Sequence, residues 1–413
     1  MKFPLIFLAA FLIVAISCKK SEPQKAGEMK NVPLTQAQKS VIGKSNAFGF
    51  EFFRAMQPFA GTNKNLMVSP LSISMALGMT RNGAAGSTLD SMTCTLGFEG
   101  LGEPAINGSY QYIMETFSGL DPGVQVSVAN SIWYRNTFTV EQSFTDVNKN
   151  YFSAIVTPLD FSDPGSVTTI NNWVSAGTKN LIPKIVESIP ADMVMYLINA
   201  VYFKGKWRHQ FEKENTAPKP FRLADGSDVQ TPSMLQQCDL PYFDGDGFEA
   251  VELPYNQGNF VMTILLPETG SSPAAVIATL SQGNWDTWSG NFATTDVVLQ
   301  LPKFKYEYDE QAMIPILTAM GMGGAFDDQL ADFTRINSNG GLYISEVKHK
   351  TYIETNEEGT EAAAVTSVGI SVTSAGPGST VYFTVDRPFV YFITEKSTGT
   401  ILFIGTVVNP AVN

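Results

Sequence analysis

The hydrophobic pattern of the chain is helical in its first half and strand-like in its second. Val41–Met56 places apolar residues at the spacing of a helix that buries one face. Ser69 and Pro70 suit the N-cap and the first position of a second helix. Thr168–Val186 is predicted as a further helix. The pattern therefore predicts a helical first part of the fold.

Strand-like segments dominate after that point. Strands are predicted over Tyr196–Trp207, Asn259–Pro267, Gln300–Asp309, Gly341–Thr355, Arg387–Thr394 and Thr400–Val408. The first is a continuous apolar run, typical of a strand buried on both faces, and the last two read as a hairpin. One helix, Glu310–Gly321, is predicted among them. Because helices precede strands without regular alternation, the class is α+β. Residues 40–413 contain no linker and are predicted to form one domain.

The N-terminus is predicted to be a targeting segment. Lys2 is followed by an apolar run over Phe3–Ile16 and then by Ser-Cys, which is typical of a bacterial lipoprotein signal. Residues 1–17 would be removed and Cys18 would be lipidated, which predicts an exported protein anchored in the bacterial cell envelope. The alternative is an ordinary export signal cleaved elsewhere. Residues 18–39 are polar and are predicted to be a flexible tether.

Charge and cysteine content narrow the possible partners. The formal net charge of −12 argues against nucleic acid and against anionic membrane surfaces. Membrane contact is therefore predicted only through the lipid on Cys18. Cys94 and Cys238 could pair, but nothing in their spacing indicates it, and two unpaired thiols are favoured.

Enzyme signatures are missing from the sequence. His209 and His349 are the two histidines, so neither an HExxH motif nor a histidine metal cluster exists, and GxSxG is absent. Ser345 begins an SxxK pattern, but it lies on a predicted strand without the partner motifs of that chemistry. A hydrolase would need a catalytic triad of distant residues with His349 as the base. A hydrolase is therefore the least favoured function. We predict no enzyme, no metal and no cofactor.

Asn356–Thr380 is long, neutral and strand-prone. After three glutamates at its start, Glu357, Glu358 and Glu361, no charged residue follows within it. Read at a period of two, the even positions Thr360–Val372 are small and then apolar, so a strand of about 14 residues, or ~45 Å, could bury them. An edge strand or a long disordered loop are the alternatives. Neutral edges invite aggregation and long structureless loops are uncommon, which favours a segment that is exposed in one state and a central strand in another.

Five segments, in order, resemble the serpin family of serine protease inhibitors. The resemblance covers about residues 40–413 and is carried by Asn65–Met92, Asn199–Trp207, Leu301–Asp309, Glu357–Ala364 and Asp386–Pro410. It implies the single-domain serpin fold, with helices, three β-sheets of which one is large and central, and an exposed reactive-centre loop at about residues 357–380.

The resemblance implies a suicide inhibitor that acts as a monomer. A serine protease would cut the loop and form a covalent acyl-enzyme, and the cut loop would insert into the central sheet. Counting about 14 residues from Gly359 places the reactive bond at Thr373-Ser374, with Val372 and Ala375 still open. Small residues there favour elastase-like or subtilisin-like targets, and the absence of Lys and Arg disfavours trypsin-like ones.

Further positions are implied residue by residue. The hinge would be Glu357, Glu358, Gly359, Thr360, Glu361, Ala362, Ala363 and Ala364. The residues that control the opening of the sheet would be Ser69, Ser72, Asn199 and His349 (the shutter) and Trp207 (the breach). His349 could equally be a core histidine whose hydrogen bonds are satisfied, and Trp207 could simply fill space in the core. A non-inhibitory serpin, a binding protein or protease substrate, remains the alternative function, but it calls for a stiffer or more charged hinge.

Overall fold

The computed structural model describes residues 27–59, 61, 64–310, 312–360 and 380–412. Within these ranges the α-helices are α1 (Gln36–Met56), α2 (Pro70–Arg81), α3 (Gly86–Thr95), α4 (Glu103–Phe117), α5 (Gln142–Phe152), α6 (Gly165–Gly177), α7 (Pro273–Thr279), α8 (Gln282–Ser289) and α9 (Met313–Leu317). None of the helices in the described ranges is long and apolar enough to cross a membrane.

The strands are β1 (Leu66–Val68), β2 (Val124–Arg135), β3 (Ile155–Leu159), β4 (Met195–Lys206), β5 (Ala217–Arg222), β6 (Asp228–Gly245), β7 (Phe248–Pro254), β8 (Phe260–Pro267), β9 (Ala293–Pro302), β10 (Phe304–Glu310), β11 (His349–Asn356), β12 (Gly359–Thr360), β13 (Val381–Thr384), β14 (Phe389–Glu395) and β15 (Thr400–Val407). One sheet has six strands in the order β10-β11-β12-β4-β2-β3. The other has nine, in the order β1-β15-β14-β8-β7-β6-β9-β13 with β5 beside β6.

The α+β class and the single domain are confirmed, but the expected three sheets are two among the described strands. The 18-residue β6 causes the difference. It pairs with β9 over residues 233–242 and with β7 over residues 242–245, so it joins two groups of strands into one hydrogen-bonded sheet.

Local sequence explains where the first two helices begin. Thr35 and Gln38 form a capping box, so α1 starts at Gln36, five residues before the predicted boundary. The side chain of Ser69 accepts from the backbone N–H of Ser72, and Pro70 holds the first position of α2, as predicted.

Two predicted helices are too long. The helix predicted over Thr168–Val186 ends at Gly177, because Lys179 and Asn180 turn the chain back with positive φ. The helix predicted over Glu310–Gly321 shortens to α9 followed by an irregular turn at Gly321, whose φ is 110°.

Two predicted strands also differ from the structure. The segment Gln300–Asp309 is broken at Lys303, so that β9 and β10 belong to different sheets. The strand predicted from Gly341 begins only at His349, because residues 341–348 have no neighbouring strand to pair with. The predicted C-terminal hairpin is formed by β14 and β15.

Part of the predicted tether packs against the domain. The backbone of Lys30 exchanges two hydrogen bonds with the side chain of Asn259, at 3.0 and 2.7 Å. Val32 is buried, and the carbonyl of Pro33 accepts from the hydroxyl of Tyr112. The described part of residues 18–39 is therefore anchored from residue 30 onward rather than free. Cys18 lies outside the described residues.

Candidate functional site: an open slot in the six-stranded sheet

The six-stranded sheet is incomplete at its centre. β12 lies between β4 and β11 but covers only the ends of both, pairing with Gly205 and Lys206 on one side and with Thr355 and Asn356 on the other. Among the described residues, β4 and β11 pair with β12 and with their outer neighbours but not with each other. We call the uncovered space between these two strands the slot.

The slot accounts for the burial pattern of β4. Its even-numbered side chains, such as Tyr196 and Ile198, are buried against the cluster beneath α6. Three of its odd-numbered apolar side chains, Met195, Leu197 and Val201, face the main core but stay half-buried, whereas Phe203, near β12, is buried. The prediction that this strand is buried on both faces is therefore wrong along the slot, where the side chains of the second face lack a neighbouring strand.

A cavity of about 180 Å³ lies at the far end of the slot from β12. Met195 and Leu197 of β4 line one side, and residues 341–347 line the other. These last residues are the ones predicted as strand but found unpaired.

The hinge turn, Asn356–Thr360, is already part of the sheet. Thr360 is 3% exposed, and its hydroxyl is 2.6 Å from that of Tyr255. Glu357 and Glu358 are also buried. The expectation of an exposed loop from about residue 357 is therefore wrong for residues 357–360, because backbone pairing and the Tyr255 contact draw them into the sheet.

Gly359 is required by close packing of backbones. A Cβ at this position would lie 2.0 Å from the carbonyl oxygen of Gly205, which is closer than any side chain tolerates. Glycine therefore lets the turn approach β4 closely enough to pair with it.

Two buried glutamates hold the hinge turn by ion pairs. Glu357 accepts from Lys303 at 2.9 Å and from the Thr216 hydroxyl at 3.0 Å, and Glu358 accepts from Lys213 at 3.0 Å. Burial raises the pKa of Glu357, but the hydrogen bonds from Lys303 and Thr216 outweigh it and hold the pKa below its usual value. The sequence showed the acidic pair but not these three partners, which come from distant segments.

Trp207 packs directly beside the hinge turn. Its backbone N–H donates to the carbonyl of Glu358 and its indole N–H to that of Asn356, both at 2.9 Å. Its ring stacks on Tyr255 with centroids 4.5 Å apart. Trp207 thus bonds to the turn, and Tyr255, which sequence reasoning missed, bonds to Thr360.

The shutter residues lie further along the slot, and the structure brings only some of them together. The backbone N–H of Ser69 donates to Nε2 of His349 at 3.1 Å, while the Ser69 hydroxyl caps the N–H of Ser72. Because Nε2 is an acceptor, the proton of neutral His349 is on Nδ1. Burial lowers the pKa of His349 to about 4, so the ring is neutral at neutral pH.

Asn199 does not bond to His349, which lies on the opposite wall of the slot. Its amide N–H donates to the side chain of Asn130 at 2.6 Å. Its Oδ1 is buried and has no hydrogen-bond partner among the described residues. An unsatisfied buried acceptor costs about 1–3 kcal/mol, so a donor reaching Oδ1 of Asn199 would be stabilising.

The remaining predicted residues fall outside the described ranges. These are the hinge positions Glu361, Ala362, Ala363 and Ala364 and the reactive bond Thr373-Ser374. Among the residues that are described, no group of three or more His, Cys, Asp or Glu could hold a metal ion. Cys94 and Cys238 are both free thiols in the structure.

Comparison with known proteins gives one consistent result. The family model described as Serpin (serine protease inhibitor) matches residues 43–410. Antithrombin-III of Mus musculus is 31% identical over 407 residues, covering 96% of this chain and 87% of the relative. Neuroserpin of Homo sapiens is 34% identical over 366 residues, covering 85% and 87%.

A solved structure extends the likeness to the fold. The native state of tengpin, a thermophilic serpin, superposes with a TM-score of 0.83 at 32% identity, covering 94% of this chain and 97% of that one. Its latent state superposes with a TM-score of 0.78, covering 92% and 99%.

Proposed function

Because the chain belongs to the serpin family, we propose that it is a suicide inhibitor of serine proteases, with elastase-like or subtilisin-like enzymes as targets. Serpins generally bind proteases as inhibitors rather than act as catalysts. In the proposal, the protease attacks the Thr373-Ser374 bond and is held as an acyl-enzyme. The cut loop then fills the slot and carries the protease with it.

The slot with β12 already at one end is the observation that carries the proposal. Thr360 pairs with Gly205 and with Thr355 in antiparallel register. Continuing that register by six residues would place Thr366 between Asn199 and His349. Its hydroxyl would then be able to donate to the unsatisfied Oδ1 of Asn199, and the shutter would be completed by the inserted strand.

The same register would place apolar residues at the cavity. Val368 would face Leu197, and Ile370 would face Met195, both of which line it. Burying a Val or Ile side chain stabilises by about 1.5–3 kcal/mol each. Insertion would therefore bury apolar surface and form the backbone hydrogen bonds that the two slot edges lack. In the proposal, the uncut form then persists because its conversion is slow and not because it is the most stable state.

The hinge favours an inhibitor over a non-inhibitory serpin. Thr360 fits the sheet without strain or charge, and no charged residue occupies an even position from there to Val372. A charged side chain at such a position would have to be buried unpaired, at a cost large enough to stop insertion.

We also propose export and lipid attachment at Cys18, on the strength of residues 1–18. Cys18→Ser should release the protein from the membrane fraction into the soluble fraction, whereas Cys94→Ser should not. Equal membrane retention of both variants would contradict the proposed lipid attachment at Cys18.

The function is tested by incubating the protein with pancreatic elastase and with subtilisin, followed by denaturing gels and mass mapping of the released C-terminal peptide. A complex that survives boiling, with a peptide starting at or within one or two residues of Ser374, is the expected result. Cleavage in the loop by both enzymes without a complex would favour the non-inhibitory alternative.

A further inference from the structure

Two lysines at the edge of the slot have no acidic partner in the described part of the chain. Lys204 and Lys206 lie on β4, on the face of the sheet that α6 covers further along the strand, and both are partly exposed. The register partner of Lys204 on β2 is Gln125, which carries no charge. The two lysine positions are about 6.6 Å apart along the strand, so their charges repel each other and both favour a nearby carboxylate.

The slot side of Lys204 faces the position that follows Thr360 in the sheet. Thr360 is in antiparallel register with both walls of the slot. Continuing that register by one residue in the inserted strand would place Glu361, which lies outside the described residues, opposite Lys204 on one wall and Glu354 on the other. Side chains alternate between the two faces of a strand. Because Thr360 is buried, Glu361 would point outward, where its charge stays in contact with water.

The charges around this position favour a carboxylate. Glu354 is already neutralised, because Lys305 contacts it at 3.1 Å and the hydroxyl of Tyr352 donates to it at 2.7 Å. Lys204, directly opposite the position, and Lys206, on the diagonal, are the unpaired charges. Opposite charges directly across a strand pair change an equilibrium constant by a factor of about 1.4 to 5. A carboxylate that enters here should therefore be attracted and not merely tolerated.

We propose that Lys204, with Lys206 beside it, is a positioning residue that attracts Glu361 at the start of loop insertion and makes the yield of trapped protease depend on ionic strength. The inference rests on the proposed function and deepens it. Insertion competes with hydrolysis of the acyl-enzyme, which releases the protease. Because Glu361 is the first residue to enter beyond β12, its attraction to Lys204 acts early and raises the trapped fraction.

The first test measures how the encounter with pancreatic elastase divides between complex and cleaved chain. The ratio of cleaved to complexed chain is read from denaturing gels for the unmodified protein, Lys204→Gln, Glu361→Gln and the double variant. Lys149→Gln, at an exposed lysine on α5, is the matched control. The double variant of Lys204→Glu with Glu361→Lys exchanges the two charges. Melting temperatures check that every variant is folded.

At low salt, Lys204→Gln should raise the ratio about twofold or more. Glu361→Gln should have at least as large an effect, because it also loses Lys206, and the double variant should match Glu361→Gln. The charge exchange should recover part of the loss, and the control should change nothing. At 1 M salt, where charges are screened within about 3 Å, the differences should disappear. Equal ratios in all variants at low salt, or effects that multiply in the double variant, would overturn the proposal.

A second test checks the geometry in the cut chain without relying on charge. Directly opposite residues of antiparallel strands have Cα atoms about 4.5–5.5 Å apart, which suits a disulfide. In a background of Cys94→Ser and Cys238→Ser, Lys204→Cys with Glu361→Cys should therefore crosslink after loop cleavage under mild oxidation, as mass mapping would show. Lys206→Cys with Glu361→Cys is two residues out of register and should crosslink much less. Equal yields for both pairs, or no bond in the first, would contradict the register.

The two proposals fail in different ways. Complexes that form in the same proportion in all variants would remove the role of Lys204 and leave the inhibitor intact. If the loop is cut without any complex, the inhibitor fails. The crosslink in the cut chain then decides whether Glu361 reaches Lys204, and its absence would overturn the pairing as well.

Discussion

His349 should make the stability of the native state fall as the solution becomes acidic. Burial lowers its pKa from 6.5 to about 4 in the folded protein, while the unfolded chain keeps the ordinary value. Above pH 6.5 the ring is neutral in both states and the group has no effect. Between pH 6.5 and about 4 the unfolded state binds a proton that the native state does not, so stability is lost as the pH falls. A difference of about 2.5 units corresponds to about 3 kcal/mol.

Protonation of His349 should also break its hydrogen bond with Ser69. A proton on Nε2 would remove the acceptor that binds the N–H of Ser69, 3.1 Å away. His349→Gln is the matched variant, because a glutamine oxygen reaches nearly the same position as Nε2 but does not titrate. The loss of stability between pH 7 and pH 4 should be about 3 kcal/mol larger for the unmodified protein than for His349→Gln.

Two assays check this prediction. Denaturant unfolding at several pH values gives the difference between the two proteins. Because the chain has only two histidines, proton NMR in a His209→Gln background gives the pKa of His349 without overlap. A pKa near 6.5, or parallel pH profiles for the two proteins, would refute the reasoning.

Four smaller predictions concern the hinge turn and the thiols. Thr360→Arg would bury an unpaired charge, so gels should show a cleaved chain and little complex; a stable complex would contradict this. Gly359→Ala puts a methyl group 2.0 Å from a facing carbonyl oxygen, so hydrogen exchange of the hinge turn should speed up, and unchanged exchange would count against the close packing. Glu357→Gln should lower the free energy of unfolding, measured with denaturant at pH 7, by about 1–3 kcal/mol. Because the pKa of Glu357 is lowered, this difference should shrink as acid protonates the carboxylate. An unchanged difference at pH 3 would argue against the ion pair. Burial raises the pKa of Cys238 to about 12, and the hydrogen bond to Glu99 raises the pKa of Cys94. Because Cys94 is exposed and Cys238 is partly buried, a thiol reagent at pH 8 should modify Cys94 faster than Cys238; equal rates for the two thiols would be the wrong result.

Local signals in the sequence predicted the elements whose formation depends on nearby residues. Ser69 and Pro70 gave the start of α2, and the apolar runs around Ser397-Thr398-Gly399 gave the C-terminal hairpin. The family resemblance pointed to Thr360 and Trp207, which lie together at the end of the slot.

Non-local pairing explains what the sequence did not show. Residues 341–348 alternate like a strand but remain unpaired, because β10 ends at Glu310, opposite His349, and β12 pairs only with Thr355 and Asn356. Tyr255, Lys213 and Lys303 contact the hinge turn from separate strands and loops, and no spacing along the chain reveals such contacts. The half-buried odd positions of β4 likewise reflect the slot and not their own hydrophobicity.

Hydrogen exchange of β4 before and after loop cleavage tests the central claim most directly. Alternate backbone N–H groups of a strand point to opposite edges, so about half of those in residues 195–204 face the slot rather than β2. If the cut loop inserts, these amides should change from fast to slow exchange, and those bonded to β2 should change little. In Thr360→Arg, cleaved in the same way, they should stay fast. Slot-facing amides that remain fast in the cleaved, unmodified protein would contradict the account.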